Sequence, residues 1–199
     1  MSLILASTST ARQAMLRAAG VPHEVMAPGV DEEEVRAGLM ADGITDPVAV
    51  AGALADHKAL RVSLRFPDAL VLGADQILCT EEGELLDKPG TLDRAEAQLK
   101  RLRGHTHRLE SAAALAQGGE VVWRARDQAQ LAMRAFSDAF LERYLALAGA
   151  GVAQCVGSYM IEGLGAQLFE RVTGDHFTIR GLPLLPVLAE LRARGLLAA

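Results

Sequence analysis

LILASTSTARQAMLRAAGV, residues 3–21, passes from an apolar run through four hydroxyl residues into a stretch with helical spacing. Leu3, Ile4 and Leu5 read as a short buried strand that stops at Ser7. Ala14, Met15, Leu16, Ala18 and Ala19 recur as one face of a helix, with Ser9 or Thr10 placed to cap its start and Gly20 to end it. A strand that turns directly into a helix is the opening of an α/β domain.

The rest of the chain continues that pattern. His23 to Met26 is expected as a second strand and Pro28 to Glu34 as an acidic loop. Pro47 to Phe66 is expected as a long alanine-rich helix, and Ala69 to Leu72 as a strand running into Gly73-Ala74-Asp75. Ile77 to Cys79 and Glu84 to Leu86 flank a hairpin-like turn at Glu82-Gly83. A helix over Thr91 to Leu102 precedes two long strands, Thr106 to Ala116 and Glu120 to Ala135. Ser137 to Leu147 is a helix, Gly157 to Gly165 a glycine-dense turn, Gln167 to Val172 a strand, and Leu184 to Arg194 a closing helix. Alternation in the first half and an antiparallel pair in the second predict an α/β fold, a mixed twisted sheet with flanking helices.

Composition narrows the function. Of 199 residues, half are hydrophobic and 23% charged, with no apolar run reaching the ~20 residues that a membrane span needs, so no membrane association is expected. The start of the chain has no basic segment followed by a long apolar stretch, and a cytoplasmic location is expected. Cys79 and Cys155 show no metal or disulfide spacing and read as structural thiols. A net charge of −5 argues against nucleic acid as a partner, while leaving room for a small anionic substrate in a local basic pocket.

Several segments can carry chemistry. The hydroxyl cluster at the start of the first helix is either a cap or, with Ser7, Ser9 and Arg12, an anion site made of free backbone N–H groups and a guanidinium fork. No GxxxxGK[ST] is present, which excludes a P-loop. Asp75, at the end of an apolar strand, is placed to hold a divalent cation or activate water, or else to close a turn. The run Asp31-Glu32-Glu33-Glu34 is either a source of a second carboxylate for Mg²⁺ or a solvated loop. Lys58 and Lys88 are the basic counterparts, each an ordinary surface lysine when taken alone.

In order along the chain, Leu5-Ala6-Ser7-Thr8-Ser9-Thr10-Ala11-Arg12, Val30-Asp31-Glu32, His57-Lys58-Ala59, Gly73-Ala74-Asp75-Gln76, Asp87-Lys88-Pro89, Gly104-His105-Thr106-His107, Gly157 to Gly165 and Gly181-Leu182-Pro183-Leu184 together resemble the Maf family of nucleoside triphosphate pyrophosphatases. The resemblance spans nearly the whole chain and implies one Maf-like domain over residues 1–199, of the Maf/inosine triphosphate pyrophosphatase type, with two lobes around a central cleft. It implies hydrolysis of a nucleoside triphosphate between the α and β phosphates. Residues matching Ser7, Ser9, Arg12, Lys58 and Lys88 hold the phosphates. Those matching Glu32 and Asp75 serve a Mg²⁺ or Mn²⁺ ion, Asp75 also the attacking water. A homodimer is implied too. The family's usual Ser-x-Ser-Pro-Arg-Arg is here Ser7-x-Ser9-Thr10-Ala11-Arg12, without the proline and the first arginine, and its Thr-Gly appears as Ser111-Ala112.

Ala11, Gln76 and Glu162 match positions that read the base, and Gln76 and Glu162 resemble the branch acting on 7-methyl-GTP more than the dTTP/UTP branch. A carboxylate only accepts hydrogen bonds, and guanine offers two adjacent donors where uracil and thymine offer one between two carbonyls. The alternatives are a dTTP/UTP pyrophosphatase and a non-catalytic nucleotide-binding regulator of cell division.

Overall fold

The computed structural model describes residues 2–198. Its elements are β1 (Leu3–Ala6), α1 (Thr10–Ala18), β2 (Glu24–Met26), α2 (Glu32–Ala41), α3 (Pro47–Ser63), β3 (Leu70–Thr80), β4 (Leu85–Leu86), α4 (Leu92–Leu102), β5 (Thr106–Gln117), β6 (Glu120–Met133), α5 (Asp138–Ala148), β7 (Phe169–Thr173), α6 (His176–Ile179) and α7 (Leu184–Ala193). Three 3₁₀ turns, Ala150–Gln154, Val156–Ser158 and Leu164–Leu168, lie between α5 and β7. The seven strands form one mixed sheet in the order β2-β1-β3-β5-β6-β7, with β4 paired to β3. The α/β architecture expected from the sequence is therefore present.

β1 pairs in parallel with β2 on one side, Leu5 opposite Val25, and with β3 on the other, Ala6 opposite Gly73. The chain leaves β1 through α1 toward β2, then crosses through α2 and α3 to β3. The connections thus leave β1 in opposite directions, and the carboxyl ends of strands at such a reversal are the usual place for a ligand in open α/β sheets.

Two sequence expectations change here. The acidic run is the first turn of α2: Asp31 is its N-cap, its carboxylate accepting the N–H groups of Glu33 and Glu34 at 3.1 Å. Three glutamates then sit at the positive end of the helix dipole, which is why they do not remain a loop. The strand at Ala69–Leu72 does not end before Asp75 but continues to Thr80, because Ile77, Leu78 and Cys79 extend the same buried run. Asp75 is thus within a strand, two residues beyond the level at which β1 stops.

By contacts the chain divides into two compact units. The first comprises Met1–Gln76, Glu110–Asp127 and His176–Ala199. On one face of its sheet Leu3, Leu5, Leu70, Leu72 and Ala74 pack against Met15 and Leu16 of α1 and Leu184, Val187 and Leu191 of α7. On the other face Ile4, Ala6 and Val71 pack against Val62 of α3. Each fully buried leucine here is worth roughly 1.5–3 kcal/mol. The second unit comprises Ile77–Leu109 and Gln128–Asp175. In it the ring of Tyr159 meets Phe169 edge-on at 4.8 Å, and His107 Nε2 lies 2.7 Å from the Tyr159 hydroxyl.

Candidate active site

Ser9 is the N-cap of α1, its hydroxyl accepting the Arg12 N–H at 3.4 Å. Ser7, buried where β1 ends, accepts twice at Oγ, from the Ser9 N–H at 3.2 Å and from Arg12 Nη1 at 3.4 Å. Its own proton stays free to donate to an anion. Arg12 is buried on the inner side of α1 and donates through Nε to the Gly181 carbonyl at 2.7 Å. Burial draws its pKa below the ordinary arginine value, while the negative charges of Asp75 and Glu32 act in the opposite sense. Ala11, one residue earlier, adds no polar group to this first turn.

Lys58 reaches the same place from the opposite face of the sheet. Its Nζ lies 2.5 Å from Asp75 Oδ1 and 2.6 Å from Glu32 Oε1, with side-chain exposures of 5% for Lys58, 6% for Asp75 and 35% for Glu32. The approach depends on Gly73. A Cβ at that position would lie 2.3 Å from the Ala55 carbonyl oxygen and 2.6 Å from the Ala59 nitrogen, so only glycine lets α3 lie against β3. Glu32, at the start of α2, also pairs with Arg36 at 3.9 Å. The first unit therefore assembles Arg12, Glu32, Lys58 and Asp75, together with Ser7.

The carboxylates fit a divalent cation. Asp75 Oδ2 is buried and accepts no hydrogen bond from the described residues, a costly state for an anionic oxygen unless a cation is to be bound. Both carboxylates already converge on one positive charge, the Lys58 ammonium. Among the described residues no group of three or more His, Cys, Asp or Glu side chains is arranged to hold a metal. Two carboxylates are as many as an ion such as Mg²⁺ needs from a protein, the rest of its shell being water and phosphate oxygens.

Gln76 follows Asp75 and points to the other face of the strand, as alternation requires. Its Nε2 donates to Ser111 Oγ at 3.0 Å and to the carbonyls of Thr178 and Ile179 at 2.9 and 3.1 Å. In the sequence Ser111 stands out only as a departure from the Thr-Gly of the resembled family, and Thr178 carries no signal.

Lys88 and Glu162 belong to the second unit, and both are exposed. They converge electrostatically on Cys155, whose thiol pKa is raised first by burial, then by Glu162, with Lys88 acting the other way. Gln98 ties the Lys88 loop to the glycine-rich turn, donating to the Asp87 carbonyl at 2.9 Å and accepting the Ser158 hydroxyl at 2.8 Å. Ser158 has φ +63°, a conformation unusual for a residue other than glycine, and Tyr144 holds its carbonyl at 3.1 Å. Nothing in the sequence marked Gln98 or Tyr144 for this task.

The profile of the family described as Maf-like protein matches residues 2–194. A nucleoside triphosphate pyrophosphatase of Caulobacter vibrioides is 49% identical over 193 residues, 97% of this chain and 96% of the relative. Another, from Rhodospirillum rubrum, is 49% identical over 98% of this chain and 96% of its own length. A 7-methyl-GTP pyrophosphatase of Mesorhizobium japonicum is 48% identical over 97% of this chain and 96% of its own length.

Proposed function

The chain belongs to the Maf-like proteins, and from that premise we propose that it hydrolyses 7-methyl-GTP, or another nucleoside triphosphate with a modified purine, to a nucleoside monophosphate and pyrophosphate. Its class is nucleoside triphosphate pyrophosphatase, a hydrolase of acid anhydrides. The observation that carries the mechanism is the buried Lys58 ammonium between Asp75 and Glu32, with Arg12 close enough for both carboxylates to act on it.

The polyphosphate lies at the start of α1. The N–H groups of its first turn, the Ser7 hydroxyl and the cations Arg12 and Lys58 take up its charge, and Ser9 keeps the turn in shape. These donors are fixed before substrate arrives, so they stabilise charge that develops on the leaving pyrophosphate without having to reorganise. Asp75 orients a water toward the α phosphorus and accepts its proton as the new P–O bond forms and the bond to the bridging oxygen breaks. Glu32 and Asp75 would hold the Mg²⁺ or Mn²⁺ ion, which supplies charge neutralisation on the phosphates and a more acidic water. Glu162 offers acceptors to the N–H edge of guanine, and the positive charge of a methylated base strengthens that contact. Support for this substrate comes from Gln76, Glu162 and the Mesorhizobium relative.

No helix among the described residues is long and apolar enough to cross a membrane. A homodimer working in the cytoplasm completes the reading, and light scattering of the purified protein tests the dimer. The decisive assay is pyrophosphate release from 7-methyl-GTP, GTP, UTP, dTTP, CTP and ATP with Mg²⁺ or Mn²⁺, beside Asp75→Asn. Preferential cleavage of 7-methyl-GTP, abolished in the variant, is the expected result. Preference for UTP or dTTP overturns the substrate, and nucleotide binding without release overturns the mechanism in favour of a regulator.

A further inference from the structure

We propose that Arg36 is a positioning residue for Glu32, holding its carboxylate from within α2 so that one oxygen stays turned to Asp75 whether or not Lys58 remains beside it. The proposal rests on the cation-assisted hydrolysis given above and deepens it by assigning what aims the second carboxylate.

Glu32 needs such a partner because the packing of its own helix does not fix it. None of the α2 side chains is fully buried. Glu32, Val35, Arg36 and Leu39 are half-buried and spaced i, i+3, i+4 and i+7, which makes them the stripe on which α2 lies against α3. Val35 and Leu39 alone give the helix little apolar anchorage, and elements anchored in this way open at low cost. The Glu32 side chain, 35% exposed, has rotamers that swing it into water unless charge holds it.

Lys58 and Arg36 hold it, one on each oxygen. Lys58 Nζ lies 2.6 Å from Oε1, and Arg36 Nη2 lies 3.9 Å from Oε2. The two cations differ in what else they serve. Lys58 comes from α3 and also lies 2.5 Å from Asp75 Oδ1, so a metal ion taken up by both carboxylates competes with its ammonium. Arg36 stands one turn beyond Glu32 on α2 itself, against the oxygen turned away from Lys58, and the order acid then base suits the helix dipole. Its side chain is 17% exposed, half the value of its partner, and its planar guanidinium has few other orientations to lose. Arg36 therefore travels with Glu32 and still neutralises Oε2 once the ammonium has left Oε1.

Mn²⁺ binding, read from the EPR signal of the free ion, separates this role from that of a bystander charge by its sign. Removing a positive charge near two carboxylates by itself tightens cation binding. Removing a group that orients a metal ligand weakens it, so Arg36→Met, which keeps the stem, should bind Mn²⁺ about tenfold more weakly than the native protein. Arg36→Lys keeps the charge and loses the fork; it should bind about threefold more weakly and serves alone if the methionine variant does not fold. Thermal melts in chelator should stay near the native value, because a partly exposed pair at this spacing adds little stability. With saturating Mn²⁺ the kcat for pyrophosphate release should be kept, while the Mn²⁺ needed for half-maximal rate rises in step with the weaker binding. Equal or tighter Mn²⁺ binding in the folded variant overturns the inference. So does a raised nucleotide KM at saturating Mn²⁺, which would make Arg36 a phosphate ligand. Native protein that takes up Mn²⁺ but releases no pyrophosphate removes the hydrolytic reading and leaves the binding comparison to decide this one. Native protein that takes up no Mn²⁺ removes both.

Discussion

Replacing Lys58 by methionine keeps the stem of the side chain and removes the charge that two carboxylates share. Asp75, 6% exposed, would then have both oxygens buried without a partner, since Oδ2 has none and Oδ1 would lose the ammonium. Breaking a buried ion pair in this way costs about 3–5 kcal/mol. Glu32 adds little to that figure because, 35% exposed, it can turn into water. The lower bound corresponds to a melting temperature reduced by roughly 6–12 °C for a chain of this size. Thermal melts should be run with chelator and again with Mn²⁺, and Mn²⁺ binding followed directly from the EPR signal of the free ion. The variant should bind Mn²⁺ more tightly than the native protein and recover more stability from it, because no ammonium competes for the carboxylates. A loss below about 1 kcal/mol in chelator, or equal Mn²⁺ affinity in both proteins, would refute the view that Lys58 neutralises this pair and that the pair can take a cation.

Gly73→Ala should lower stability by about 3 kcal/mol or more, since the new methyl meets backbone at 2.3 Å and cannot be accommodated by a rotamer change. Pyrophosphate release should fall with it as α3 carries Lys58 off Asp75, and a stable, active alanine variant would contradict this. Arg12→Lys, which loses the fork that serves both the Gly181 carbonyl and a phosphate, should lower kcat/KM by about ten- to a hundredfold, a range set by hydrogen bonds to charged groups. His107 is buried and its pKa is depressed from 6.5 to about 4, so between those values the unfolded chain binds the proton that the native protein refuses. Native stability should therefore fall by about 3 kcal/mol as pH drops from 6.5 toward 4, and His107→Gln should flatten that slope in urea titrations.

Much of the fold is legible in the residues because local signals agree with the global arrangement. The apolar run Leu3–Leu5, the cap at Ser9 and the alternation of strand and helix specify β1 and α1 directly. α2 was hidden because its first turn is acidic and its apolar residues are few, and none of its side chains is fully buried. β3 was cut short because Gly73-Ala74-Asp75 carries the composition of a turn. The glycine is there for the approach of a helix, a tertiary demand invisible in local sequence. At the site, Arg12, Glu32, Lys58 and Asp75 stand out through the family resemblance, while residue type alone leaves Lys58 a surface lysine and Glu32 part of a solvated loop; the structure brings the four together. Ser111 and Thr178, which hold Gln76, and Gln98, which holds the glycine-rich turn, bond through backbone carbonyls or ordinary polar contacts and carry no type-specific signature.

Asp75 and Gln76 are neighbours in the chain yet face opposite sides of β3, one leaning on α3 and the other on α6. Arg12 is common to both sides, acted on by Asp75 and lying with Gln76 Oε1 beside Gly181, so the substitutions whose effects should add are those that leave Arg12 in place. Under the proposed function, changes in the packing around Ser111 and Thr178 would alter which nucleotide is accepted and leave the Lys58–Asp75 pair on the reverse side in place. One strand would thus keep a variable trait apart from a constant one by the alternation of its side chains.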